Sequence, residues 1–250
     1  MVLAKITGYR QTLRALPQWE PYLLEHSGLP GPRANLELAQ AAAEEGRPEQ
    51  FAAWRRLSPQ AAPVNSPEEF LVFCGVLGLG WQLAAGDRQA LADLQAFASD
   101  PRWRTREAVA QALQQAALTQ PELVLAEMHA WAAGTPLEQR AAAAAICEPA
   151  LIEAVLPAAA VFDVLDRIMI HLPPADMRRS QAFRTLRQGL GYCWSVAVAA
   201  APEPGKARME RWLTDPDMDI QWIMRTNLQK KRLERLDPDW TDDWQQRLKP

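Results

Sequence analysis

Asp100-Pro101-Arg102-Trp103-Arg104-Thr105-Arg106-Glu107-Ala108 opens an apolar helical run, and comparable openings recur downstream at intervals of roughly forty residues. They read Thr135-Pro136-Leu137-Glu138-Gln139-Arg140, Pro174-Ala175-Asp176-Met177-Arg178-Arg179 and Asp215-Pro216-Asp217-Met218-Asp219-Ile220. In each, a short polar or proline-led turn can cap the helix that follows. Most openings are followed by a second helix before the next begins. A helix pair repeated in this way cannot bury its apolar face alone, so neighbouring pairs must stack. The spacing therefore predicts an all-α chain, a solenoid built of stacked helical repeats.

The predicted pairs are 67–85 with 88–99, 102–118 with 121–133, 136–147 with 151–171, 175–200 with 204–214, and 217–235 followed by a C-terminal tail. Shifting the sequence by 34 residues sets Arg106 on Arg140, Val109 on Ala143, Leu113 on Cys147 and Leu118 on Ile152. Ser66 and Thr135 each precede a proline and stand three residues before a glutamate, which predicts capping boxes with Glu69 and Glu138. Upstream, Ser27-Gly28-Leu29-Pro30-Gly31-Pro32 must be a rigid turn. The expected organisation is one helical-repeat domain over 1–250, with 1–65 as an N-terminal cap, 66–236 as repeats and 237–250 as a closing tail.

These openings resemble the HEAT-repeat and PBS-lyase-type HEAT-like superfamily, in which repeats begin with Asp and Pro and carry an Arg in the first helix. The resemblance covers roughly Ser66 to Leu236 and implies a right-handed α-α superhelix with a concave binding face, but no single activity. Trp103-Arg104-Thr105-Arg106-Glu107-Ala108 is also similar to a helix of the HEAT-like bacterial alkylpurine DNA glycosylases. The Trp-Asp-x-x-Asp arrangement of those enzymes has no counterpart, since Trp81 and Asp87 are wrongly spaced.

The net charge of −3 and 48% hydrophobic content describe an ordered globular chain without the basic balance typical of nucleic-acid binders. Cys74, Cys147 and Cys193 lie in apolar runs without metal-type spacing, which predicts free buried thiols and a reducing, cytoplasmic setting. No signal peptide is evident, and the apolar stretch Phe70 to Ala85 is too short and glycine-rich for a membrane span. His26, His129 and His171 are dispersed, so neither metal nor cofactor is expected. Gly75-Val76-Leu77-Gly78-Leu79-Gly80 has no strand before it, and its glycines read as close helix packing rather than a phosphate cradle. The ten tryptophans read as core filling with indole N–H groups bonded at edges.

The preferred function is a non-enzymatic scaffold binding a protein or peptide on its concave face. The second helices of the pairs should line that face, which nominates Glu122, Glu127, His129, Arg208, Glu210 and Arg211. The alternative is a nucleic-acid-binding solenoid, whose phosphate contacts would be Arg104, Arg178, Arg184 and Arg225. Arg102 and Arg106 share a helix face and could join such a track. Lys230, Lys231, Arg232 and Arg235 are placed near a helix C-terminus, where cations offset the macrodipole.

Overall fold

A computed structural model describes residues 2–248, which form helices joined by short loops, with no strand among the described residues. In chain order the helices are α1 Val2–Ala15, α2 Glu20–Glu25, α3 Leu36–Glu45, α4 Pro48–Arg55, α5 Pro67–Ala84, α6 Gln89–Ala98, α7 Trp103–Ala117 and α8 Pro121–Trp131. They continue as α9 Pro136–Ile146, α10 Pro149–Ala154, α11 Ala158–Ile170, α12 Gln181–Ala200, α13 Pro202–Leu213, α14 Met218–Leu228, α15 Lys231–Leu236 and α16 Pro238–Arg247. A 3-10 turn, Ala175–Met177, precedes α12.

The Asp-Pro openings work as local devices, and two of them are built alike. Asp100 Oδ1 accepts from the Arg102 N–H at 2.8 Å, and Asp215 Oδ1 accepts from the Asp217 N–H at 2.8 Å. Six residues on, Arg106 Nη1 donates to the Asp100 carbonyl at 2.6 Å, and Gln221 Nε2 donates to the Asp215 carbonyl at 3.2 Å. The aspartate turns the chain through its side chain, and a donor from the second helical turn ties the opening down. The box at Thr135 also forms, with Glu138 Oε2 accepting from the Thr135 N–H at 2.6 Å. At Ser66 only half of it does: Ser66 Oγ accepts from the Glu69 N–H, but the Glu69 carboxylate turns to the Asn65 N–H at 2.7 Å.

Three predicted helices divide. The run 151–171 breaks between α10 and α11, because Pro157 offers no N–H and disfavours helical geometry in Leu156 before it. The run from 175 yields the 3-10 turn, and α12 starts afresh where Ser180 Oγ accepts from the Phe183 N–H at 3.2 Å. The last run stops at Leu228, so Lys231 and Arg232 begin α15 instead of neutralising a C-terminus. The tail is helical as α16, capped by Asp237, which accepts from the Trp240 N–H at 3.0 Å.

The helices fall into two compact units, Met1–Thr119 and Gln120–Pro250. In the first, α1 packs on α3, α3 on α5 and α5 on α7, while α2, α4 and α6 also lie against α5. Helix α5 is accordingly apolar on nearly every side and buried from Glu69 to Gly80. In the second unit, α9 packs on α12 and α12 on α14; α8 packs on α11 and α11 on α13. Cross-contacts α8–α9, α11–α12 and α13–α14 join these two rows, while α15 and α16 pack against α12 and α14. The core between the rows holds the fully buried Trp194, its ring 6.1 Å from Phe162. Asn227 of α14 also reaches α12, accepting from the Ser195 N–H and donating to the Leu190 carbonyl, both at 2.8 Å.

Candidate partner-binding surfaces

The six residues nominated for partner binding fall on two helices of one row. On α8, Glu122 and His129 are exposed and Glu127 is half-buried. On α13, Arg208, Glu210 and Arg211 are partly committed to neighbours. Arg208 Nη1 meets Asp166 Oδ2 at 2.5 Å and its Nη2 meets Asp163 Oδ1 at 2.9 Å, while Arg211 Nη1 stands 3.7 Å from Asp166. The buried Asp166 also accepts from the Trp212 indole at 2.6 Å, so its desolvated carboxylate is held by several donors. Asp166 and then Asp163 hold the Arg208 guanidinium above its ordinary value. Glu210 accepts from the Trp240 indole at 2.7 Å. Helix α11, which supplies both aspartates, packs against α8 as well as α13. The row thus shows both signs of charge, with its α13 end fixed by inter-helix ion pairs.

The four arginines of the nucleic-acid reading do not form a stripe. Arg104 is buried, with Nη1 3.3 Å from Glu69 Oε2 and Nη2 donating to the Gly31 carbonyl at 2.7 Å and to Asn65 Oδ1 at 3.2 Å. The physical reason is Glu69, a carboxylate inside the first unit that requires a cation beside it. Arg102 is likewise withdrawn from any phosphate track: it clasps Asp100 and donates to the Leu57 carbonyl at 3.1 Å. Arg178 places Nη1 on Asp217 at 2.6 Å and on Asp219 at 3.2 Å, and its Nε donates to the Pro173 carbonyl. Of the four, Arg184 on α12 is exposed and Arg225 on α14 half-buried, with Nε donating to the Gln221 carbonyl within its own helix.

Burial pushes the Asp217 carboxyl up, but the Arg178 guanidinium and the N–H groups of Ile220 and Asp219 outweigh it and hold the group below the usual carboxylate range. Asp237 is held down by Lys206 at 2.8 Å and by the Trp240 N–H. A carboxyl lowered in the folded state stabilises fully above its unfolded value, ~3.9, and that contribution fades as pH falls through the lowered folded value. The second unit is therefore expected to lose stability below about pH 4. Asp217→Asn should remove about 1 kcal/mol at neutral pH and flatten the acid limb. Urea midpoints between neutral pH and pH 3 measure both.

Sequence reading missed two features that depend on distant residues. The buried Cys147 and Cys193 thiols, 46 positions apart in sequence, are neighbours where α9 ends against α12, and burial followed by this neighbour pushes the Cys147 thiol well up. Burial likewise pushes up the Cys74 thiol in α5. The second feature is a set of arginines placed over aromatic rings. Arg187 is 4.1 Å from the Trp222 centroid and Arg232 is 4.4 Å from that of Tyr192. No short-range motif announces either.

Each unit also carries an open cleft. One of about 330 Å³ is bounded by Lys5, Tyr9, His26, Arg33 and Glu37; another of about 210 Å³ lies among Pro149, Glu153, Val196, Ala199 and Arg232. No group of three or more potential metal ligands occurs among the described residues, and no helix there is long and apolar enough to cross a membrane. Comparison with protein-family models, curated proteins and solved structures finds no match for this chain.

Proposed function

We propose that the chain is a non-enzymatic helical-repeat scaffold that binds a protein or peptide along the α8–α11–α13 row. The stacking proposed, for each unit by itself, is the right-handed α-α superhelix of HEAT-like repeats. Two observations support it: first helices pack on first helices and second on second in the second unit, and the openings at Asp100 and Asp215 share one hydrogen-bond pattern. Stacked rows of this kind offer an extended surface rather than a pocket, which suits a polypeptide partner.

The observation that carries the protein-binding reading is the mixed charge of that row. Glu122 and His129 lie open on α8, while Asp163, Asp166, Arg208 and Arg211 interlock between α11 and α13. A phosphate backbone would be repelled by these carboxylates, whereas a protein surface with complementary charges would gain orientation from them. The nucleic-acid alternative keeps Arg184 and Arg225, the two arginines left on the surface.

A photo-crosslinking residue at the exposed Ala130 of α8 or Ala207 of α13, with Ala92 of α6 as control, tests the proposal in the cell of origin. Discrete protein adducts at the first two positions and not at the third are expected. Adducts to nucleic acid alone, or none at Ala130 and Ala207, would overturn it. Salt-sensitive binding of duplex DNA, across a salt series, would shift the reading to the alternative.

A further inference from the structure

We propose that the exposed face of α12, with its flanks on α14 and α15, docks an acidic peptide segment carrying an apolar side chain. This face belongs to the other row, so the proposal goes beyond the α8–α11–α13 reading and stands or falls separately. Gln181, Arg184, Gln188 and Tyr192 are exposed along α12 at spacings of three and four, one continuous line on a helix. At the α14 edge of that line, the Arg187 guanidinium rests on Trp222, and Arg225 follows one turn further along α14. At the far end, Arg232 of α15 rests on Tyr192 and donates Nη2 to its hydroxyl at 2.6 Å.

A guanidinium held over a ring has less freedom to lose on binding, and its remaining N–H groups match the shape of a carboxylate. Asp219 forms an ion pair with Arg187, its Oδ1 2.9 Å from the buried Nε, and Glu153 borders the cleft beside Arg232, so two acids offset part of this charge. Arg184 and Arg225 supply the remaining attraction. The occupied rings decide the class of partner. Single-stranded nucleic acid binds through bases stacked on open aromatic faces, and here guanidinium groups cover a face of both Trp222 and Tyr192. A carboxylate needs the edge of the stacked arginine and leaves the stack intact. Beyond Arg232, the cleft of about 210 Å³ among Pro149, Val196 and Ala199 can receive an aliphatic or aromatic side chain next to the acidic run.

Fluorescence anisotropy with a labelled Glu-rich peptide bearing a central Leu tests this on the full chain at low salt. A Gln-for-Glu peptide and a single-stranded oligonucleotide serve as comparisons. The Glu peptide is expected to bind, the Gln peptide not to. Arg184→Glu with Arg225→Glu should weaken binding on the order of tenfold or more, with an unchanged circular-dichroism spectrum. Arg184→Gln alone, at an exposed position, should weaken it less and guards against misfolding of the double variant. Equal binding of the Gln peptide, tighter binding of the oligonucleotide, wild-type affinity in both variants, or no binding of the Glu peptide would each overturn the proposal. Photo-crosslinking at α8 and α13 reads the other row, so failure of one test leaves the other intact.

Discussion

Arg104→Ala is expected to remove about 3–5 kcal/mol from the stability of the first unit. Glu69, its partner, has no exposed surface, and Arg104 itself is 5% exposed. Truncating the arginine leaves the carboxylate in an apolar helix, its Oε2 held by the Asn65 N–H alone among the donors that had faced it. The same change releases the Gly31 carbonyl, through which Arg104 pins the turn Ser27 to Pro32 to the start of α7. Arg104→Lys should recover only part of the loss. One ammonium cannot reproduce a planar fork that reaches Glu69, Asn65 and Gly31 together. Arg104→Met combined with Glu69→Leu should be milder than Arg104→Ala, because no buried charge is then orphaned. Urea midpoints for the three variants give the ranking. A loss under about 1 kcal/mol for Arg104→Ala would mean the pair behaves as a surface contact.

Arg104 also shows where sequence reading ends. Its neighbours Arg102 and Arg106 both bond to Asp100 within a few residues, although Arg102 also reaches the Leu57 carbonyl 45 positions away. Arg104 stands in the same short motif, but its surroundings come from α5 and from a turn 73 positions upstream. Nothing local separates a buried arginine from an exposed one there, so the motif alone reads equally well as a phosphate contact, whereas packing against α5 buries the side chain. Glu69 failed for the same reason: its spacing from Ser66 is that of a capping box, yet the demands of Asn65 and Arg104 took its carboxylate elsewhere.

The Asp-Pro openings, the proline-started helices and the box at Thr135 were legible because each is settled within a few residues. The break at Pro157 was legible too, and reading helix through it ignored the missing N–H. On the surfaces, residue type was readable while pairing was not. Arg208 and Arg211 could be placed on a second helix, but their carboxylates on α11 follow from packing. The Arg187–Trp222 and Arg232–Tyr192 stacks join residues 35 and 40 positions apart, beyond any periodicity argument.

Gly80→Ala should destabilise the first unit, although alanine is the better helix former by about 1 kcal/mol. The reading of Gly75, Gly78 and Gly80 as close-packing positions can be tested here because the outcome has a definite sign. A Cβ built on Gly80 would lie 2.4 Å from the Ala112 carbonyl oxygen and 2.8 Å from its Cα, so α5 and α7 touch through backbone. Backbone cannot rotate aside as a flexible side chain would, and the two helices must separate, loosening the core in which Val109 and Leu113 of α7 are buried. The expected cost is about 1–3 kcal/mol after the propensity gain, and larger for Gly80→Val. Gly8 in α1 is the internal control, because a Cβ there meets nothing within 4 Å. Gly8→Ala should therefore stabilise, by roughly 0.5–1 kcal/mol, through propensity alone. The pair of urea midpoints should move in opposite directions. If Gly80→Ala moved upward with Gly8→Ala, the backbone contact between α5 and α7 would have to be wider than described, and the hub position of α5 with it.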